Sequence, residues 1–255
     1  MQDSLRKALY EAVNRNARED RIGVAFSGGI DSALLARICS DLGKEVVLIT
    51  AGFPGSHDLE FSKSIAEKLR LPIHAVVIDS IEFQKQLQRI FGETSCRNTS
   101  HVENCLAYSF IARAANEQGL SVVLSANGCD ELFCGYNGYR LVYENGVHAM
   151  LKLMDEKIAN ELELVREISA VAARFEVDVR QPFLDVEFIE FSKKIPIDEK
   201  IKGPDDMLRK HILREVALEV NVPPESAMKP KKALQYGSLI HKHYRKALKA
   251  LGDIG

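Results

Sequence analysis

The sequence lacks any apolar run near the ~20 residues that a membrane-spanning helix needs, and its first residues, Met1-Gln2-Asp3-Ser4, are polar where a signal peptide would be apolar. It lacks charge of one sign: 34 Lys and Arg against 36 Asp and Glu give a formal net charge of -2, so no general attraction to nucleic acid is expected. Cysteine is sparse and odd in number, five in 255 residues, which fits reduced thiols better than a disulfide framework. Proline and glycine are at ordinary levels, and 46% of residues are apolar, which excludes disordered, collagen-like and fibrous chains. The expectation is a cytoplasmic protein with no membrane segment and a core large enough to need no staples.

Periodicity organises what is there. Four short, nearly continuous apolar runs read as strands: 21–26, 46–49, 73–78 and 121–124. Between and around them, helical spacing covers 4–16, 31–42, 59–69 and 101–118. Apolar strands alternating with helices predict an α/β fold, an open parallel sheet with helices on both faces. Ligands of such sheets sit beyond the carboxyl ends of the strands. After Tyr136 the strand signal fades, and helices are predicted at 147–174, 186–194, 206–220 and 238–251. With no flexible linker or repeat, the chain is expected to form a single domain over 1–255. Its parts would be an N-terminal helix (1–20), a sheet core (21–135) and a mainly helical part (136–255) packed against it.

Phe26-Ser27-Gly28-Gly29-Ile30-Asp31-Ser32 follows the first strand. Two glycines let the backbone turn tightly and approach an anion. The next helix aims amide hydrogens at the same point, and Ser27 and Ser32 add hydroxyls. Asp31 would repel a phosphate unless a cation such as Mg²⁺ lay between them. The spacing is neither that of a P-loop nor that of a dinucleotide fold. The bland alternative is a strand-to-helix turn with a capping aspartate. Seven Lys or Arg and no acid lie between Ser226 and Gly252, readable as a solvated basic helix or, near Lys229 to Lys232, as an electropositive wall.

The Ser-Gly-Gly-Ile-Asp-Ser string resembles the pyrophosphate-binding loop (PP-loop) of the N-type ATP pyrophosphatases, whose fold is adenine nucleotide alpha hydrolase-like. Four further strings resemble the synthetase half of asparagine synthetase and its relatives: 52–59, 125–136, Val179-Arg180-Gln181-Pro182-Phe183-Leu184-Asp185, and Lys210-His211-Ile212-Leu213-Arg214-Glu215 with Lys229-Pro230-Lys231 behind it. The resemblance runs in order from about Arg21 to Gly237. It implies ATP and Mg²⁺ as cofactors and an ATP-dependent, amide-forming ligase. A carboxylic acid, aspartate or a related one, is adenylated with release of pyrophosphate, then attacked by ammonia or an amine. It implies that Ser27, Gly28, Gly29 and Ser32 hold the pyrophosphate and that Asp31 and Asp130 hold the metal. Phe26, Ala51, Ser125 and Ala126 would hold the nucleotide, and Lys231 the developing charge.

The departures are informative. Family members carry a glutaminase domain with a cysteine after the initiator methionine, where this chain has Gln2. The nitrogen is therefore expected as free ammonia, from a separate glutaminase subunit, or as a substrate amine. Asn127 replaces a glutamate near the attacking nitrogen, and an amide is a poor proton acceptor; Asp178 is the candidate base in its place. Glu103 falls where an arginine is expected, which puts aspartate as the substrate in question. The cysteines form no CxxC pair and read as buried free thiols rather than a cluster. Homodimerisation stays open. The alternatives are a tRNA- or nucleotide-modifying enzyme with the same adenylation, or a non-catalytic ATP-binding subunit of a glutaminase complex.

Overall fold

Strands β1 (Arg21–Ala25), β2 (Glu45–Gly52), β3 (Ile73–Val77), β4 (Val122–Leu124) and β5 (Asp178–Arg180) pair in the order β3-β2-β1-β4-β5, and every pairing is parallel. The computed structural model describes residues 1–93, 98–229 and 234–252. Beyond their first residue β1 and β2 are buried throughout, as their unbroken apolar character requires when helices cover both faces. Alternate residues feed two cores. Val24 and Leu48 face one that includes Leu9, Leu34, Met154, Phe188 and Leu213. Val47 and Ile49 face the other, with Phe53, Leu106, Phe110 and Ile168.

The helices are α1 (Gln2–Asn16), α2 (Ile30–Asp41), α3 (His57–Leu69), α4 (Ser80–Glu93), α5 (Thr99–Glu117), α6 (Cys129–Leu132), α7 (Asn137–Val142) and α8 (Gly146–Ala173). After β5 come α9 (Val186–Lys193), α10 (Ile197–Lys200), α11 (His211–Glu219), α12 (Pro224–Ala227), α13 (Leu234–Gly237) and α14 (Ile240–Gly252). Asn98 starts α5 by accepting the amide hydrogens of Ser100 at 2.9 Å and His101 at 3.4 Å. Among the described residues, no helix is long and apolar enough to cross a membrane.

Besides the short helices α6, α7, α10, α12 and α13, three elements differ from the sequence reading. β5 escaped it because three residues, one of them apolar, carry no periodicity; pairing with β4 makes the strand. The amphipathic α4 was passed over between the third strand and the next expected helix. The helix expected from Asp206 begins at His211, because Arg209 (φ 51°) and Lys210 (φ 57°) are left-handed. An α-helix cannot pass through such residues.

Phe188, on α9, belongs to the core that also takes Val24 and Leu48 of the sheet, with ring centroids 6.2 Å from Phe133 and 5.8 Å from Phe183. It is 1% exposed. Phe188→Ala is expected to cost ~3–5 kcal/mol and to lower the midpoint of a single thermal transition by roughly 6–20 °C, read by circular dichroism. Two separate transitions would show that the helical part and the sheet do not share one core.

Candidate functional site

The carboxyl ends of β1, β2 and β4 open into a cavity of about 540 Å³, the place where a parallel sheet binds ligands. Its floor is the loop between β1 and α2. Gly28 (φ 75°) is left-handed there, and a Cβ on it would lie 2.9 Å from the Phe61 ring, so only glycine lets the turn close against α3. The Ser27 amide donates to Ser32 Oγ at 3.3 Å, and Ser32 Oγ–H donates to the Gly29 carbonyl at 3.2 Å. Ser226 Oγ–H clamps the Gly28 carbonyl at 2.7 Å. With the N-terminus of the twelve-residue α2 behind it, this is a preorganised anion cradle.

Beside the cradle, Lys210 bridges two carboxylates. Its Nζ lies 2.8 and 2.6 Å from the Asp31 oxygens and 2.6 Å from Asp130 Oδ1. The lysine side chain is 1% exposed. Burial alone would lower its pKa, but Asp130 and Asp31 outweigh burial and hold the ammonium charged well above the ordinary lysine range. Cys129, fully buried, donates Sγ–H to Asp31 Oδ1 at 3.0 Å, and its thiol is pushed far up, chiefly by burial and then by Asp31. Gly135 lets the group close: a Cβ there would lie 1.9 Å from Asp130 Oδ1 and 2.5 Å from Lys210 Cε.

The turn that aims Lys210 inward is held at several points. Asp206 accepts from the amides of Lys202 (2.9 Å), Leu208 (2.9 Å) and Arg209 (3.0 Å) and pairs with His211 at 2.7 Å. Burial would raise the Asp206 pKa, but these hydrogen bonds prevail and bring it to about 2. Arg214 donates to the carbonyls of Leu208 and Arg209, both at 2.6 Å, and to those of Ala227 and Lys229.

The far end of the cavity is walled by one face of α5 (Ser100, His101, Asn104, Tyr108) and one of α8 (Glu156, Lys157, Asn160, Glu161). Asn127 Nδ2 donates to Glu161 Oε1 at 2.5 Å, and Tyr108 O–H donates to Asn127 Oδ1 at 2.7 Å. His101 pairs through Nδ1 with Glu167 at 3.0 Å, while its buried Nε2 has no hydrogen-bond partner among the described residues. The buried hydroxyl of Thr50, at the end of β2, also has none there.

Of the residues singled out from sequence, Phe26, Ser27, Gly29, Asp31, Ser32, Ala51, Ala126 and Asp130 line this one cavity. Gly28 supports it from behind. Ser125 is fully buried and hydrogen-bonds to Tyr108 at 2.5 Å and to Asn127, a layer below the surface. Asp178 requires correction. It opens β5, level with Val122 at the amino end of β4, and pairs with Arg180 at 2.6 Å while 57% exposed, so it faces away from the cavity. Lys231 lies outside the described residues. Glu161 was missed: it sits mid-helix, 34 positions from Asn127, and only the path of α8 brings the two together. Glu103 is 2% exposed and pairs with His241 at 2.7 Å, turned from the cavity wall.

The residues present fit a magnesium–triphosphate complex. Asp31 and Asp130 offer two hard oxygen donors beside the Ser27–Ser32 turn, with the Lys210 ammonium lying between them. Cys39, Cys105, Cys129 and Cys134 are buried, and no group of three His, Cys, Asp or Glu among the described residues could hold a metal by itself.

The asparagine synthase family model matches residues 4–165 and 143–253. A putative glutamine-hydrolyzing asparagine synthetase of Methanocaldococcus jannaschii is 31% identical over 97% of this chain and 51% of its own length. Asparagine synthetase B of Escherichia coli is 26% identical over 92% of this chain and 45% of its own. The chain thus spans about half the length of these curated relatives. Among solved structures, NMN synthetase from Francisella tularensis shares the fold, with TM-score 0.53 and 14% identity over 92% of this chain and 77% of that one.

Asp206 supports a pH prediction. Its pKa is lower in the folded chain (about 2) than the carboxylate's ordinary 3.8, so its stabilisation is complete above pH 4 and is lost as pH falls towards 2. Wild type is expected to exceed Asp206→Asn in stability by roughly 2 kcal/mol at pH 6, with the gap closing between pH 4 and pH 2. Denaturant unfolding of both proteins across that range measures it, and a gap independent of pH would refute the assignment.

Proposed function

This chain belongs to the asparagine synthase family, and we propose that it is an ATP-dependent carbon–nitrogen ligase that forms AMP and pyrophosphate. The observation that carries the reading is the convergence of the Ser27–Ser32 cradle and the Asp31–Asp130 pair on one cavity, with room beyond them for a second substrate. ATP would lay its base along Ala51 and Thr50 and its phosphates over the cradle. Mg²⁺, held by Asp31 and Asp130, would supply charge neutralisation at the triphosphate. A carboxylic acid at the far end, facing Lys157 and His101, would attack the α-phosphorus; the acyl-adenylate forms as pyrophosphate leaves. Ammonia or an amine then attacks the acyl carbon and AMP departs.

Lys231 is proposed to stabilise charge on the departing phosphates, as the resemblance implies. Glu161 takes the place first given to Asp178 as proton acceptor. It is 6% exposed, lines the cavity, and is oriented by Asn127, which cannot accept the proton itself. The nitrogen source would be free ammonia, a substrate amine or a separate glutaminase, and the setting cytoplasmic.

Carboxylic acids should be screened for acid-dependent AMP formation, with ammonium and glutamine side by side. Glu161→Gln is expected to slow amide formation by ~10²–10⁴-fold while acid-dependent ATP–pyrophosphate exchange persists. Absence of pyrophosphate release with every acid would overturn the ligase reading. Impairment in Asp178→Asn with full activity in Glu161→Gln would return the base to β5.

A further inference from the structure

We infer that Lys210 is a resident counter-ion that keeps free divalent metal off the Asp31–Asp130 pair, so that metal enters only together with the triphosphate. The inference rests on the reading of this pair as the metal site, and it concerns the order in which that site fills.

The first ground is geometry. The ammonium contacts both oxygens of Asp31 and one of Asp130, at 2.6–2.8 Å, on the side where the two side chains converge. A divalent ion shared by both carboxylates would need that same space. The second is charge. Two carboxylates and one ammonium leave a single net negative charge, and adding a dication would leave a net positive one in a site whose lysine is 1% exposed and whose aspartates are 21% and 16% exposed, which is costly unless further anions arrive. A triphosphate brings them, and gives the ammonium phosphate oxygens to contact instead.

The third ground is that the chain spends local conformational energy to put this ammonium here. Arg209 and Lys210 are consecutive left-handed residues, 5% and 1% exposed. Such backbone persists only where its surroundings over-determine it, and here Asp206 and Arg214 do so. A Cβ on Gly135 would meet the lysine and Asp130 together, so the pocket is shaped around the bridged form. A lysine needed only for phosphate contact would require no such enclosure by the aspartates.

The test is Mn²⁺ binding, followed without ATP by the loss of the free-ion electron paramagnetic resonance signal and with ATP, which chelates Mn²⁺ by itself, by retention of Mn²⁺ and ATP with the protein in equilibrium dialysis. Wild type alone is expected to bind Mn²⁺ only weakly, and with ATP to hold one ion. Lys210→Met alone is expected to bind one Mn²⁺ at least ~10-fold more tightly than wild type, because the pair then lacks its cation. The double variant Asp31→Asn, Lys210→Met should lose that gain. Circular dichroism checks that each variant is folded; if Lys210→Met is unfolded without metal, its recovery on adding Mn²⁺ alone supports the inference. Tight binding of one Mn²⁺ by nucleotide-free wild type would overturn it whatever the variants do. So would a folded Lys210→Met that binds no better than wild type, or an unfolded one that Mn²⁺ fails to recover. Failure of wild type to hold Mn²⁺ even with ATP would overturn the site reading as well. Mn²⁺–ATP binding without turnover of any acid would remove the ligase reading and leave this one standing.

Discussion

A buried ammonium held between two aspartates is the interaction on which the site depends. Asp31 comes from the start of α2, Asp130 from the start of α6, and Lys210 from the residue before α11, so three distant stretches of chain meet at one nitrogen. Removing one member of such a buried group typically costs ~3–5 kcal/mol, because the others are left charged and unpaired. The sheet places the two aspartates: β1 and β4 are neighbours in register, so the loops that follow them open side by side. The helical part places the lysine, which ties its packing to the chemistry.

The sheet was legible because its central strands are short apolar runs and its first loop carries glycines that a turn of that shape requires. The cradle was legible for the same reason, since hydroxyls, glycines and an aspartate lie within six consecutive residues. What could not be read were features that exist only through tertiary contact. β5 is three residues long and is made by its partner. The break before α11 is set by Asp206 and Arg214 capping a turn that periodicity alone reads as helix. Glu161 faces Asn127 only because α8 runs back across the cavity.

Asp178 shows the opposite error. A carboxylate two residues from a recognisable arginine looked well placed along the sequence, but along a strand two residues are ~7 Å, and direction matters more than distance. Arg180 does not point that carboxylate at the cavity; it ties it, with Glu19 at 2.9 Å, into an ion-pair group at the sheet edge near the end of α1. Asp130, by contrast, follows a strand's carboxyl end, where parallel sheets deliver side chains to ligands.

Arg214 and Ser226 together fasten the stretch that leads out of α11. The guanidinium grips the carbonyls of Ala227 and Lys229, and the serine grips the cradle at Gly28. The dozen or so residues between these anchors are therefore a spacer of fixed length, although part of it runs over the surface. Surface connections ordinarily tolerate insertion and deletion. Here one residue gained or lost would pull a clasp off the loop between β1 and α2, so chain length in this stretch should drift far less than its side chains do.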